Sequence, residues 1–347
     1  MPITKINNLG IGNYPVGTSN VALGTGALIA NTTTGCQNTA VGSDSLKCNT
    51  TACCNTAVGD LALSLTTTGN SNTAVGATAM QCNTTGLNNT AVGRSALLKN
   101  TTGCSNTAVG IVASLCNTTG FFNTSVGQSA NRFNETGCQN TAVGYEALCS
   151  STVSNNTAVG HQALFCNTTG CQNTTVGASA LNKVTTGTLN TTVGSVAGAD
   201  ITTGGNNVTF GRASGADAVA CITTGSNNIV IGNNEHTCAR IKIAFTVTSD
   251  ARDKTCIDAV PHGLCFVKQL NPISFFYKKS REKNFPTGRK RYGFKAQDIL
   301  PLEQGDAVII SDDEPENLKY NESSLIPVLV NAIKELTAKV EALENKS

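Results

Sequence analysis

The feature that most constrains this chain is a period of seventeen residues. The phrase N-T-A-V-G, with small variations, recurs with its glycine at Gly42, Gly59, Gly76, Gly93, Gly110, Gly127, Gly144, Gly160, Gly177 and Gly194. Degenerate copies end at Gly24 (NVALG), Gly211 (NVTFG) and Gly232 (NIVIG). Successive intervals are 18, 17 six times, 16, 17 three times, and 21. Each unit reads roughly N-T-A-V-G-x-x-A-L-x-x-N-T-T-G-x-x. Seventeen residues cannot bury a face alone, so every copy must stack on its neighbours. The alternation in T-A-V suits a short strand. Small residues three places after the glycine, such as Ala62, Ala79, Ala96 and Ala163, open a second short stretch. N-T-T-G reads as a turn in which Asn and Gly tolerate left-handed backbone. The unit is therefore one coil of a parallel β-solenoid, with two strands and two turns. At about 4.8 Å per coil, thirteen coils predict a rod on the order of 60 Å.

Composition agrees and sets a boundary. Residues 1–248 hold 16 charged side chains, whereas residues 249–347 hold 30. Tryptophan is absent and aromatics make up 5% of the chain, too few for a conventional enzyme core. A calcium-binding β-roll is excluded, because the four Asp of the repeat region (Asp44, Asp60, Asp200, Asp217) are not periodic. A formal charge of +2 predicts no nucleic-acid partner. No apolar run reaches the roughly 18–20 residues of a membrane span, so no membrane insertion is expected. Met1 to Val16 carries no apolar leader-like stretch, which predicts a soluble protein made in a cytoplasm. The expected organisation is an N-terminal segment (1–16), a solenoid (17–240), a junction (241–248) and a C-terminal domain (249–347).

Nine of the fifteen Cys fall in two columns. Cys48, Cys82, Cys116 and Cys166 lie six places after the motif glycine; Cys36, Cys53, Cys104, Cys138 and Cys171 lie six before it. One reading is a disulfide ladder, for instance Cys48–Cys53 or Cys166–Cys171 across a turn. The other, which we prefer here, is a small buried hydrophobe at a fixed position. No C-x-x-C pair offers a zinc site, and neither metal nor cofactor is expected. The N-T-T sequons are read as turn chemistry rather than as glycosylation sites.

The C-terminal region has strand-like pieces at Ile273–Tyr277 and Ala307–Ile310, then a closing helix. Ile326, Leu329, Ile333, Leu336, Val340 and Leu343 are spaced 3, 4, 3, 4, 3, the seam of a coiled coil over about residues 323–345. Pro327 is placed near the helix start, where a first-turn proline is tolerated. The alternative is a helix packed on its own domain.

Two resemblances follow from these motifs. N-x-A-V-G with Ala three places later, over about residues 17–232, resembles the head of YadA-type trimeric adhesins, which implies a left-handed β-roll with three chains side by side. The longer N-T-T-G-x-x turn departs from that pattern. S-D-A-R-D-K (Ser249 to Lys254), V-K-Q-L-N-P-I-S-F-F-Y (Val267 to Tyr277), Y-G-F-K-A-Q-D (Tyr292 to Asp298) and the terminal helix together resemble the endosialidase-type intramolecular chaperone domain. That family terminates phage tail spikes, tail fibres and other viral and cellular proteins. The resemblance implies a homotrimer held in register while the fibre folds, then a cut between Thr248 and Ser249, with Ser249 as nucleophile and Lys254 as general base. It further implies a fibre or tail component of a virion, assembled in the host cytoplasm, with a host-surface receptor or glycan and a virion adaptor or baseplate protein as partners.

The chemistry is coherent. A serine hydroxyl is a poor nucleophile until a base takes its proton, and lysine serves as base only where desolvation or cationic neighbours favour its neutral form. Arg252 is close in sequence and is a candidate contributor; Asp250 and Asp253 must point elsewhere or bind Arg. Gln297 is a candidate donor to the developing oxyanion, and His262 is read as a loop residue. Five residues of extended strand would put Ser249 and Lys254 on opposite sides, so either the segment turns or Lys254 comes from a neighbouring chain. The alternatives are a glycan-degrading spike, which would need a carboxylate pair in a cleft, and a non-viral repetitive adhesin with the same maturation device. Self-cleavage is expected to be single-turnover, with no external substrate.

Overall fold

The computed structural model describes residues 19–216, 221–233, 235–236, 249–278, 285–312 and 318–346. The expected N-terminal segment (1–16) and the junction (241–248), with Thr248, lie outside these residues. The chain divides into two compact units, one ending at Asn233 and the other starting at Asn234.

The first unit is a parallel β-solenoid. Thirteen three-residue strands, β1 (Val21–Leu23) through β13 (Ile229–Ile231), form one sheet in strict sequence order. Each T-A-V pairs in register with the next, as in Thr56↔Thr73, Ala57↔Ala74 and Val58↔Val75. The central side chain is buried: Ala40, Ala57, Ala74, Ala91 and Ala108 are fully enclosed. The flanking Thr and Val face outward.

The second stretch of each coil is not a strand. Residues after the motif glycine form a continuous turn with left-handed backbone two and four places on, for example Leu61 (φ 57°) and Leu63 (φ 52°). This alternation sends successive amides in opposite directions along the stack. Leu61 N–H donates back to Ser43 C=O (2.9 Å), and Leu63 N–H donates forward to Ala79 C=O (3.1 Å). A left-handed Leu costs about 1–2 kcal/mol. Burial of its side chain, about 1.5–3 kcal/mol, offsets that cost: Leu46, Leu63, Met80, Leu97, Leu148, Leu164 and Leu181 are all sealed in the core. The motif glycine is required twice over. Gly59 sits at φ +138°, and a Cβ there would lie 2.5 Å from the Gly76 carbonyl oxygen.

N-T-T-G works differently from the expectation. Neither its Asn nor its Gly is left-handed in the regular coils. Asn83, Asn100, Asn117 and Asn134 are buried, and each donates from Nδ2 to the glycine carbonyl three residues on (2.8–3.1 Å). With those amides enclosed and engaged, the folded coil is closed to glycosylation at these sequons. A second buried column is the Asn preceding each strand. Its Oδ1 accepts the backbone N–H of the equivalent Asn one coil later, as in Asn55→Asn38, Asn106→Asn89 and Asn190→Asn173 (2.9–3.0 Å). Its Nδ2 donates to a turn carbonyl of the following coil, as from Asn106 to Gly120 (2.8 Å). These two ladders satisfy buried polar groups that water would otherwise have to serve.

The fourteen described cysteines are all free thiols. Cys48–Cys53 and Cys166–Cys171 are therefore not bonded. The buried-hydrophobe reading also fails for most of them, since only Cys116 and Cys149 are buried. In the two columns Cys116 alone is buried, and the other eight are partly exposed.

From Ser249 on, the second unit has a 3-10 turn (Ala251–Asp253), followed by α1 (Leu264–Val267), the antiparallel pair β14 (Ile273–Lys278) and β15 (Pro286–Gly293), α2 (Ala296–Ile299), the pair β16 (Ile310–Ser311) and β17 (Lys319–Tyr320), and α3 (Glu322–Glu344). The strand expected over Ala307–Ile310 is reduced to β16, because Glu303 captures this stretch. Its buried carboxylate accepts the backbone N–H groups of Val308, Ile309 and Ile310 (2.7, 2.5 and 2.9 Å). Phe266, Ile299, Ile309, Ile310, Leu325 and Val328 form the small core. Pro327 lies inside α3 rather than in its first turn, because the helix starts at Glu322. It cannot donate to Ser323 C=O.

Candidate active site

The segment around Ser249 is short, charged and self-folding. Asp250 caps the 3-10 turn, its carboxylate accepting Arg252 N–H at 2.9 Å. The turn closes through Lys254 N–H to Ala251 C=O (3.2 Å). This bend brings together what an extended strand would separate: Lys254 Nζ donates to Ser249 Oγ at 2.8 Å. The segment turns, and in the single chain the contact forms within it.

Arg252 binds Asp250, one of the two arrangements open to that acid. Its Nε lies 3.1 Å from both Asp250 carboxylate oxygens, and Nη2 donates to Oδ2 at 2.5 Å. The guanidinium holds the Asp250 carboxyl below its ordinary value, chiefly through that side-chain bond. The acid beside the Ser–Lys pair is thus neutralised by Arg252, which leaves the Lys254 ammonium without it. Gln297 is exposed on α2, and no hydrogen bond joins it to Ser249 or Lys254 among the described residues. His262 stacks on Phe266 with ring centroids 4.5 Å apart, a packing role consistent with a loop residue.

Ser249 and Lys254 are both exposed in the single chain. The stretch that follows them is pinned to α3, a link sequence reasoning did not find. Asn331 Nδ2 donates to the carbonyls of Val260 (3.1 Å) and His262 (3.3 Å). The Glu335 carboxylate accepts Leu264 N–H (3.0 Å). A helix polar face gives no pattern that would single out these two residues.

α3 has two apolar faces. Leu325, Val328 and Ala332 are buried on the unit's own core, whereas Ile326, Leu329, Ile333, Leu336, Val340 and Leu343 are 38–68% exposed. Packing on the domain and an open seam therefore coexist on one helix. Among the described residues no cluster of three or more His, Cys, Asp or Glu is placed to hold a metal, and no helix is long and apolar enough to cross a membrane.

Residues 249–307 match the family described as the chaperone of endosialidase. No curated protein and no solved structure compared with the chain gave a match. The family implies a self-cleaving peptidase domain, and its match opens on Ser249 itself. A segment similar to the chaperone of endosialidase thus follows the β-solenoid in the chain.

Proposed function

We propose that this chain is a homotrimeric viral fibre or tail-spike component for host attachment, whose C-terminal domain aligns three chains and then cuts itself away between Thr248 and Ser249. The observation that carries the reading is the 2.8 Å contact between Lys254 Nζ and Ser249 Oγ at the first residue of the family match. Neutral Lys254 takes the hydroxyl proton, and Oγ attacks the carbonyl carbon of the preceding residue. The peptide C–N bond breaks, Lys254 returns the proton to the leaving amine, and the acyl group rests as an ester on Oγ. Water then cleaves the ester, leaving a carboxylate at Thr248 and a free amine at Ser249. Gln297, brought in from another chain, is the candidate donor to the oxyanion.

Two surfaces support association. The seam of α3 is an unfilled 3-4 apolar stripe. On the solenoid, Val58, Val75, Val92, Val109 and Val126, each 37% exposed, form a continuous apolar column on the outer face of the sheet. Because Ser249 and Lys254 are exposed in one chain, neighbouring chains would supply the water exclusion that the base requires. Cutting then waits for assembly.

The test is expression of the full chain, with N-terminal sequencing of the small product and light scattering before and after cleavage. A product starting at Ser249, absent from Ser249→Ala and Lys254→Ala, is expected. Cleavage of both variants at the parent rate overturns the assignment.

A further inference from the structure

Cys36 and Cys53 occupy the same corner of neighbouring coils, just ahead of β2 (Thr39–Val41) and β3 (Thr56–Val58). Their sulfurs are 2.8 Å apart, and Cys36 N–H points at the Cys53 sulfur at 3.2 Å. Both side chains are partly exposed. In-register residues on adjacent coils stand about 4.8 Å apart, inside the roughly 4.4–6.8 Å Cα separation that a disulfide spans.

The rest of the column separates this pair from the others. Asn70, Leu87, Phe121 and Ser154 interrupt it, so Cys104, Cys138 and Cys171 are each two coils from the next cysteine. Two coils is about 9.6 Å, beyond the roughly 7 Å limit. The other column alternates in the same way: Leu65 separates Cys48 from Cys82, and Lys99 separates Cys82 from Cys116. Cys54, the nearest competitor, directs its sulfur to Gln37 Oε1 at 3.3 Å.

We propose that Cys36 and Cys53 form an inter-coil disulfide, a redox-sensitive staple closed by exchange with a low-molecular-weight disulfide such as oxidised glutathione. One thiolate attacks the glutathione disulfide and releases one glutathione thiol. The second thiolate attacks the resulting mixed disulfide and releases the other. The protein loses two hydrogens, and one disulfide becomes two thiols. The hydrogen bond shared with Cys53 holds the Cys36 thiol above its ordinary value, so closure accelerates as pH rises. Solenoid stability is a sum of coil and nearest-neighbour contributions. A link between two neighbours therefore resists opening of those coils without altering the others.

The experiment equilibrates the reduced full-length protein with oxidised and reduced glutathione, blocks remaining thiols and maps the peptides. The expected result is one linked peptide joining Cys36 to Cys53, with several-fold slower proteolysis of the surrounding coils. Cys36→Ser and Cys53→Ser, checked for native circular dichroism, should lose both the link and the protection, and the remaining thiol should carry glutathione. Recovery of both cysteines as free thiols in folded, fully oxidised wild-type protein overturns the proposal. So does a link from Cys53 to Cys48 or Cys54.

Discussion

At the scale of single residues, the solenoid core is most informative where it departs from its own rule. Asn131 stands in a column that holds Leu or Met in most coils; Ser114, Gly198 and Gly215 also depart from it. It is fully buried, and neither side-chain atom finds a hydrogen-bond partner. Leaving such groups unpaired costs about 1–3 kcal/mol, so Asn131→Leu is expected to stabilise the rod by that order, read as a higher urea midpoint. Asn106 is the opposite case. Its amide serves Gly120 C=O, Asn89 Oδ1 and Asn123 N–H at once. Asn106→Ala is expected to destabilise by at least about 1–3 kcal/mol by the same measurement. Cys149 gives a pH test. Burial, then the nearby Glu146, pushes its thiol up to about 11. The folded state therefore keeps a proton that the unfolded chain gives up near pH 8.5. Its stabilising contribution is complete below that pH and fades as pH rises toward 11. Maleimide labelling at pH 8 should accordingly modify exposed Cys54, Cys256 and Cys265 well before Cys149.

At the scale of elements, the strand was readable because T-A-V alternates and repeats, and the period itself demanded stacking. The turn was not readable in the same way. Nothing in A-L announces a left-handed leucine, since the conformation is imposed by the coil above and the coil below. Nor does N-T-T-G announce that its Asn is interior. The residue type suits both an exposed turn and a buried amide ladder, and only the carbonyls of the stack decide between them. In the second unit, the contact between Ser249 and Lys254 required a bend that the sequence raised as one of two solutions. The cap that makes it, Asp250, is an ordinary N-cap residue, and Arg252 acquires its meaning from that cap. For α3 the heptad was legible, while its second apolar face was not separated from it. The two faces predict different phenotypes. Ile333→Asp, on the open seam, is expected to abolish association and self-cleavage while leaving the isolated unit folded. Val328→Ala, on the buried face, is expected to lower the thermal midpoint of the unit, since a truncated core aliphatic costs about 1–4 kcal/mol. Light scattering and melting curves of both variants would separate them.

For the whole molecule, a repetitive rod has a register problem. Identical coils can pair one step out of register with little local loss. In the proposed trimer, three such chains would need an external reference for their stagger. The same redundancy predicts tolerance. Deleting Thr90–Asn106 rejoins Asn89 to Thr107 and restores an N-T-A-V-G unit, so the shortened protein should keep its circular dichroism and its cleavage. Deleting only residues 90–98 breaks the phase and should yield aggregate. The asparagine column has one more consequence. Each Oδ1 from Asn20 through Asn207 receives an amide from the coil ahead, always in the same sense. The stack is consequently a polar filament: its leading and trailing faces are chemically unlike, one offering acceptors where the other offers donors. Whatever templates its growth must match the correct face, so the rod can be capped or extended at either terminus only by a partner of the right handed-over polarity.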